Sequence, residues 1–350
     1  MEKDMRQLSG GMMDRRDFLK ISGMLGVGLA AAVAIPASAE AVKFDRKLHK
    51  VSETRIAMGT FVSMTLLHTS RDQAQEAICL AFEEIDRLTR DMNRFDRRTA
   101  VAQLNREGHL TDVPPDMVNV VRRALAHYKI SNGAFDISVK PVVDLLKSSF
   151  SGKNPSYPTN REMAEALKLV DASRIQLDGN TILLKKPGMG ITLDGIAKGY
   201  IIDKASDKVS KLGIENYLIN AGGDIRTSGC RLDGKPWTIA VQDPHKERQY
   251  PDKIRMTNGA IATSGNYEVY FDREKMFHHI VNPHNGLSPD ASNSVSVLAK
   301  TAMDADALST SVFVMRPEKG IRFVNSLPGC ECLLVGKGNR KMHSAGWKSA

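Results

Sequence analysis

The segment MDADALSTS, residues 303–311, carries two carboxylates and three hydroxyls in nine positions. Asp306 and Thr310 are four positions apart, so in a helix their oxygens lie on one face, one turn apart. A carboxylate beside a hydroxyl is suited to binding a hard cation. Apolar residues also recur at helical spacing here, which is equally typical of a core helix whose hydroxyls bond to its own backbone. This segment alone leaves both interpretations open.

The segment LDGIAKGY, residues 193–200, stands where a predicted strand passes into a predicted long helix. Small residues at such a junction let a ligand approach the backbone. The first turn of the helix offers free N–H groups and a partial positive charge, which favour phosphate. Asp194 is also a common type of helix cap and the glycines are common turn residues, so an ordinary helix start is the alternative.

Two further segments combine strand ends with polar side chains. The segment NAGGDI, residues 220–225, runs from a predicted strand into a double-glycine turn with an acidic residue beyond it. The segment HHIVNPHNG, residues 278–286, leaves a strand and carries three histidines. Histidine titrates near neutral pH and can take a proton from a hydroxyl nucleophile. A tight turn and hydrogen-bonded structural histidines are the alternatives that these segments leave open.

The first 39 residues have the pattern of a twin-arginine (Tat) export signal. Arg15 and Arg16 precede an apolar run, residues 21–35, that glycines interrupt, and a small-residue sequence ends at Ala39. The run is shorter than the about 20 apolar residues that a membrane span needs. We therefore predict export by the Tat machinery, cleavage after Ala39 and a periplasmic mature protein. An uncleaved signal would instead leave the protein attached to the inner membrane.

Charge and cysteine content restrict the class of protein. The net charge is +9 over 350 residues, which is compatible with an anionic ligand. No basic run interleaved with aromatic residues is present, so we predict no nucleic-acid partner. The four cysteines form no C-x-x-C pair and are poor candidates for metal ligands. In an oxidising compartment Cys230 could pair with Cys330 or Cys332.

The predicted elements place these segments in an α+β fold. Residues 54–68 are typical of one strand with Gly59 as an interruption, and the apolar stripe in residues 71–93 predicts a long amphipathic helix. Helices are also predicted for residues 195–212 and 302–314, whereas Pro141 is expected to break any helix at its position. Strands come in runs with helices interspersed, which predicts largely antiparallel or mixed sheets with packed helices.

In this order, the segments resemble the ApbE family, the FAD:protein FMN transferases. The resemblance runs through nearly all of residues 40–350, which we interpret as one ApbE-like flavin transferase domain. Several motifs in register are far more specific than any one of them. The matching segments are Met58-Gly59-Thr60, residues 94–105, Gly133-Ala134-Phe135-Asp136, LDGIAKGY, NAGGDI, ATSGNY at residues 262–267, HHIVNPHNG, and ADALST at residues 305–310.

The resemblance implies roles for the positions that match these motifs. Mg²⁺ would be bound by the side chains of Asp306 and Thr310 and by the backbone carbonyl of Ala197. His279 would be the base that activates an acceptor hydroxyl. The residues that the resemblance places around FAD are Met58, Phe95, Ala134, Phe135, Asp136, Asp194, Tyr200 and Ile280.

Some of these assignments have alternatives within the sequence. Asp304 stands close to Asp306, so a second acidic ligand or a second ion is possible. His278 and His284 are alternative bases, since residue spacing alone does not separate them from His279.

The implied activity is a Mg²⁺-dependent transfer. The enzyme would cleave its substrate FAD, attach FMN through a phosphoester bond to a threonine or serine of an acceptor flavoprotein, and release AMP. The implied acceptors are FMN-carrying subunits of membrane redox complexes or exported flavin reductases. A Mg²⁺-dependent FAD pyrophosphatase that forms FMN and AMP, and a non-catalytic periplasmic FAD-binding protein, are the alternatives.

Overall fold

The computed structural model describes residues 48–151, 155–242, 250–266, 278 and 280–350. The predicted signal peptide, its cleavage position and the predicted base His279 lie outside the described residues. The helices are α1 (Arg71–Met92), α2 (Ala100–Glu107), α3 (Pro115–Ile130), α4 (Lys140–Phe150), α5 (Asn160–Leu167), α6 (Ala197–Lys211), α7 (Ala302–Val314) and α8 (Pro317–Asn325). The strands are β1 (His49–Ala57), β2 (Thr60–His68), β3 (His109–Leu110), β4 (Ile175–Asp178), β5 (Thr181–Leu184), β6 (Asn216–Ala221), β7 (Asp224–Ser228), β8 (Trp237–Ala240), β9 (Lys253–Met256), β10 (Gly259–Gly265), β11 (Ser292–Ala299), β12 (Glu331–Gly336) and β13 (Lys341–His343).

The strands form three sheets in the described part of the chain. The main sheet has the order β1-β2-β6-β7-β10-β11-β12-β13, and every neighbouring pair in it is antiparallel. A three-stranded sheet has the order β3-β5-β4, and β8 pairs with β9. The α+β class with antiparallel sheets and packed helices is therefore confirmed.

The single strand predicted for residues 54–68 is instead the end of β1, a two-residue turn and the whole of β2, which together form a hairpin. Strands β1 and β2 pair antiparallel, with Ala57 opposite Thr60. Met58 and Gly59 form the two-residue connection with φ values of 52° and 73°. Two successive left-handed residues give the turn whose twist matches a hairpin, and glycine adopts this conformation readily. Met58 therefore lies at the tip of the hairpin.

The long helix predicted from the apolar stripe is confirmed as α1. Its N-cap is Ser70, whose hydroxyl accepts a hydrogen bond from the backbone N–H of Gln73. Its stripe is buried in the same core as residues of β2 and α6. By contrast, α7 is buried around most of its circumference because it packs against β10, β11 and α6. Its polar side chains therefore lie inside the protein.

The expectation that Pro141 breaks any helix at its position is wrong. Helix α4 begins at Lys140, and Pro141 lies in its first turn. The first N–H groups of a helix have no partner within the helix, so a proline there removes no hydrogen bond. The prediction was wrong because it considered only the helix interior.

The described residues contain neither a membrane-spanning helix nor a disulfide bond. None of the described helices has both the length and the apolar character needed to cross a membrane. Cys79, Cys230, Cys330 and Cys332 are free thiols, so the bridge considered for Cys230 is not formed.

Candidate active site

The start of α6 and the middle of α7 are in direct contact. The carboxylate oxygen Oδ2 of Asp306 accepts a hydrogen bond from the backbone N–H of Gly199 at 3.1 Å. A Cβ atom on Gly199 would lie 2.3 Å from the carbonyl oxygen of Ala302, so only glycine permits this approach. Two segments more than a hundred residues apart in sequence are thus brought together, as the metal-site hypothesis requires.

Thr310 lies one turn beyond Asp306 and faces the residues that precede α6. A Cβ atom on Gly195 would lie 3.2 Å from Thr310 Oγ1. Gly195 lies beside Thr310, and Gly199 forms a hydrogen bond to Asp306. Ala197 is midway between these two glycines in the sequence. The three predicted ligands therefore lie around the first turn of α6.

Strand β10 adds a hydroxyl to this cluster. Ser264 Oγ lies 2.8 Å from Ser309 Oγ and 3.3 Å from Thr310 Oγ1. A hydroxyl that forms a hydrogen bond to a neighbour has its rotation restricted. The Ser264 hydroxyl is therefore placed to restrict the rotation of the Thr310 hydroxyl. Ser264 belongs to the ATSGNY motif, in which no local pattern indicated a role for it.

The electrostatics of the cluster favour a cation. Asp306 is buried, and its burial together with the negative charge of Asp224 raises the pKa of its carboxyl. Asp224, on β7, is also buried, and its Oδ2 atom lies 2.9 Å from Nζ of Lys198. Two carboxylates and one ammonium leave an excess negative charge when all are ionised. A divalent cation would offset it.

The oxygen donors fit the chemistry of Mg²⁺. A hydroxyl, a carboxylate and a backbone carbonyl are hard ligands, and Mg²⁺ commonly completes its coordination with water and substrate phosphate. Within the described ranges, no group of three or more His, Cys, Asp or Glu side chains could hold a metal. The predicted Mg²⁺ ligands include only one side chain of these four types, Asp306. The other two donors are a hydroxyl and a backbone carbonyl, so the predicted site is not a cluster of this type.

Asp224 is a site residue that sequence reasoning did not identify. The available signal was the acidic residue directly after the double glycine of NAGGDI, a motif that matched the family but in which no role was assigned to Asp224. Its proximity to Asp306 depends on the pairing of β7 with β10 and on the packing of α7 against both strands. No local pattern encodes that arrangement.

The predicted FAD residues Phe95 and Asp194 are joined by Arg94. Nε of Arg94 lies 2.9 Å from Oδ2 of Asp194, and its guanidinium carbon lies 4.4 Å from the centre of the Phe95 ring. Phe95 is 64 % exposed, while the Arg94 side chain is 8 % exposed. An exposed aromatic ring beside a fixed carboxylate is a suitable surface for a flavin or adenine ring.

The predicted FAD residues Phe135 and Ala134 lie near the start of α6 and in a buried apolar cluster, respectively. The position of a Cβ on Gly195 is 3.3 Å from Cε2 of Phe135, so this ring borders the Thr310 cluster. Ala134 shares a buried apolar cluster with Ile280. Met58, at the hairpin tip, packs against the larger core.

Two predicted FAD residues have their polar groups engaged elsewhere. The Tyr200 hydroxyl donates a hydrogen bond to Asp116 on α3 at 2.6 Å. The Asp136 carboxylate accepts hydrogen bonds from the backbone and hydroxyl of Ser138 and from the backbone of Ala172. Burial raises the pKa of Asp136. Both residues hold chain segments in place around the site.

Asp304 points away from the predicted metal ligands. Its Oδ1 atom accepts hydrogen bonds from Nε of Arg123 at 2.6 Å and from Nε2 of His127 at 2.9 Å, both on α3. Although burial opposes ionisation, these two donors hold the pKa of Asp304 well below its ordinary value. This geometry gives no support to a second acidic ligand.

His278 and His284, the two alternative bases, differ in their surroundings. His278 is 3 % exposed; its Nε2 atom donates to the carbonyl of Pro289 at 2.8 Å, and its ring stands edge-on to Phe313. The imidazole of His284 borders Gly133, where a Cβ atom would lie 3.0 Å from His284 Cε1. His279 lies outside the described residues, so its role as the base stays a prediction.

The chain matches the model of the ApbE family over residues 58–334. A FAD:protein FMN transferase of Haemophilus influenzae is 30% identical over 316 residues, which cover 86% of this chain and 88% of that protein. A FAD:protein FMN transferase of Vibrio cholerae is 31% identical over 276 residues, which cover 76% of this chain and 83% of that protein.

Solved structures show the same similarity. The ApbE protein of Thermotoga maritima superposes with a TM-score of 0.75 at 32% identity, covering 85% of this chain and 97% of that one. The flavin transferase ApbE of Vibrio cholerae superposes with a TM-score of 0.73 at 26% identity, covering 85% of this chain and 98% of that one.

Proposed function

Because this chain belongs to the ApbE family, we propose that it is a FAD:protein FMN transferase that uses Mg²⁺. Its substrates are FAD and an acceptor protein with a reactive threonine or serine. The observation that carries this proposal is the contact of Asp306 with Gly199, beside the contact of Thr310 with Gly195. This contact places hard oxygen donors at the start of a helix, where a diphosphate is favoured.

In the proposed reaction, the acceptor hydroxyl oxygen attacks the phosphorus of the FMN half of FAD. The bond from that phosphorus to the bridging oxygen breaks, and this oxygen leaves with AMP. His279 accepts the proton of the attacking hydroxyl. The products are a phosphoester-linked FMN, AMP and a proton that is passed to solvent.

The chain's own residues hold the reactants. Asp306, Thr310 and the carbonyl of Ala197 would hold Mg²⁺, which supplies neutralisation of the charge that develops on the diphosphate. The N–H groups at the start of α6 add a further favourable field. Arg94 fixes Asp194 and the Phe95 ring against which a flat ring can pack.

The test is to mix the purified protein with FAD, Mg²⁺ and an acceptor domain that carries a flavinylation threonine. We expect a fluorescent protein band that survives denaturing electrophoresis, together with one AMP per labelled acceptor. An acceptor with Thr→Val and a reaction with EDTA are the matched controls. Free FMN and AMP without labelling would indicate a pyrophosphatase, and intact bound FAD would indicate a binding protein.

We propose that the acceptors are FMN-carrying subunits of membrane redox complexes or exported flavin reductases. We also propose that residues 1–39 direct the protein through the Tat machinery to the periplasm. The paired arginines before an apolar run support this proposal. Replacing Arg15 and Arg16 by lysine should retain the precursor in the cytoplasm, and an unchanged periplasmic yield would contradict it.

A further inference from the structure

A groove with a volume of about 620 Å³ lies beside the candidate active site. It is formed by the end of α2, strand β3, the start of α4 and residues 183–190. We call it the basic groove. None of the predicted FAD or metal residues lines it, and the proposed reaction uses none of its lining residues.

One guanidinium separates the basic groove from Asp194. Asp144, in the groove wall, forms an ion pair with Lys140 and lies 3.4 Å from the guanidinium of Arg94. The same guanidinium contacts Asp194. Gly190, which lines the groove, is four residues before Asp194, a span of at most about 14 Å in an extended chain. A segment bound in the groove would therefore lie close to Asp194, one of the predicted FAD residues.

The carboxylates that line the basic groove all have cationic partners, whereas two of its cations have no anionic partner among the described residues. Its carboxylates are already paired, Asp144 with Lys140 and Arg94, and Glu107 with Arg106. Two further cations, Lys185 and Lys186, form no ion pair with any described residue. Lys186 donates to the carbonyl oxygen of Lys168 at 2.9 Å, which fixes its position but leaves its charge uncompensated.

An apolar side chain stands next to these cations. Leu183 is 37 % exposed, although it lies in the central strand of the three-stranded sheet. Pro187 is exposed at the same edge. Next to the uncompensated cations, Leu183 and Pro187 offer apolar contacts to a segment bound in the groove.

We propose that the basic groove binds the acceptor protein, through an acidic segment next to the threonine or serine that receives FMN. Carboxylates of this segment contact Lys185 and Lys186, and an apolar side chain covers Leu183. This inference rests on the proposed function and adds to it the surface that selects the protein substrate. The occupant follows from charge complementarity, because the uncompensated charges are positive.

The test replaces Lys185 and Lys186 together by glutamate. In the transfer assay we expect the KM for the acceptor domain to rise about tenfold, because two attractive contacts become repulsive. The KM for FAD should stay within about twofold of wild type. The difference in acceptor KM should shrink at high salt. The matched control is Lys50→Glu with Lys319→Glu, which changes the net charge equally on β1 and α8.

A second measurement separates docking from chemistry. The acceptor domain with Thr→Val is titrated without FAD, and its dissociation constant should rise for the Lys185→Glu, Lys186→Glu protein but not for the control protein. Labelling by the wild type tests the proposed function alone. An unchanged acceptor KM and dissociation constant would overturn the groove assignment. A rise in the KM for FAD alone would assign the groove to the nucleotide, and a change only in oligomeric mass would assign it to a second copy.

Discussion

Asp306 and Gly199 connect α7 to the first turn of α6 through a hydrogen bond of 3.1 Å from the backbone N–H to the carboxylate. This bond places the buried carboxyl of Asp306 at the end of the helix where the partial charge is positive, which favours its ionised form. The relationship explains how a carboxylate can remain in a nearly dry position. It also defines where a metal ion would meet the substrate.

Replacing Asp306 by asparagine tests the charge while keeping a hydrogen-bond acceptor for Gly199. We expect metal-dependent FAD cleavage at limiting Mg²⁺ to fall by more than about 100-fold, since removal of a ligand exceeds the effect of removing its outer partners. Turnover is measured against Mg²⁺ concentration. Asp290→Asn, which changes an exposed carboxylate, is the control and should behave as wild type. Equal turnover of both variants would refute the ligand role.

Replacing His279 by alanine should slow FMN transfer by about 100-fold or more, the usual effect of losing a general base. FAD binding, measured by the quenching of flavin fluorescence, should be largely retained. His284→Ala is the comparison, because His284 is one of the two other histidines, with His278, that the sequence left open. If His279→Ala weakened FAD binding as much as transfer, its role would be structural.

Replacing Ser264 by alanine removes the hydroxyl beside Thr310. We expect the Mg²⁺ concentration for half-maximal activity to rise about tenfold, because an outer hydrogen bond that orients a ligand contributes to metal affinity. Ser296→Ala is the matched control, since its hydroxyl bonds to Thr263 instead. The same Mg²⁺ dependence in both variants would show that Ser264 does not orient the ligand.

Replacing Gly199 by alanine should force α6 and α7 apart. The added Cβ would lie 2.3 Å from the carbonyl oxygen of Ala302, a contact that the backbone must relieve by moving. We expect the free energy of unfolding to fall by about 1–3 kcal/mol, measured by urea denaturation. Gly336→Ala is the control, because the nearest atom there lies at 3.4 Å. A stability loss no larger than that of the control would contradict the close approach.

Asp203 gives a prediction for pH dependence. Its carboxylate caps α7 by accepting from the N–H groups of Ala302 and Met303, and burial raises its pKa to about 6. A raised pKa means that the folded state binds the proton more tightly than the unfolded state. The stability that this group contributes is therefore complete below pH about 4 and is lost as the pH rises through about 6.

Asp203→Asn should remove this dependence. Relative to wild type, the variant should gain on the order of 2–3 kcal/mol of unfolding free energy between pH 4 and pH 7, on top of a constant loss from the weaker cap. Urea denaturation across this pH range measures the difference. Asp290→Asn provides the contrast, because Lys337 lowers the pKa of Asp290, so this carboxyl titrates below the range and its difference from wild type should stay nearly flat between about pH 4 and pH 7. A flat difference for Asp203→Asn would show that its pKa is ordinary.

Local features of the site were predictable from the sequence. The spacing of Asp306 and Thr310 indicated one helix face, and α7 places both oxygens at the start of α6. The stripe of α1 was equally visible, because helical periodicity follows from backbone geometry alone. Two local predictions were wrong. The strand pattern did not reveal that the chain reverses at Met58-Gly59, and the proline rule did not reveal that Pro141 lies in the first turn of a helix.

The sequence by itself determined the order of the motifs, the family they resemble and the helical register of the predicted ligands. Only the tertiary structure decided that Asp224 and Lys198 stand beside Asp306, and that Asp304 turns instead to Arg123. The helical register of two residues depends only on their spacing in the chain, because the backbone geometry of a helix fixes which positions share a face. Partners across elements depend on strand pairing and helix packing, which bring together charges that no spacing in the chain relates.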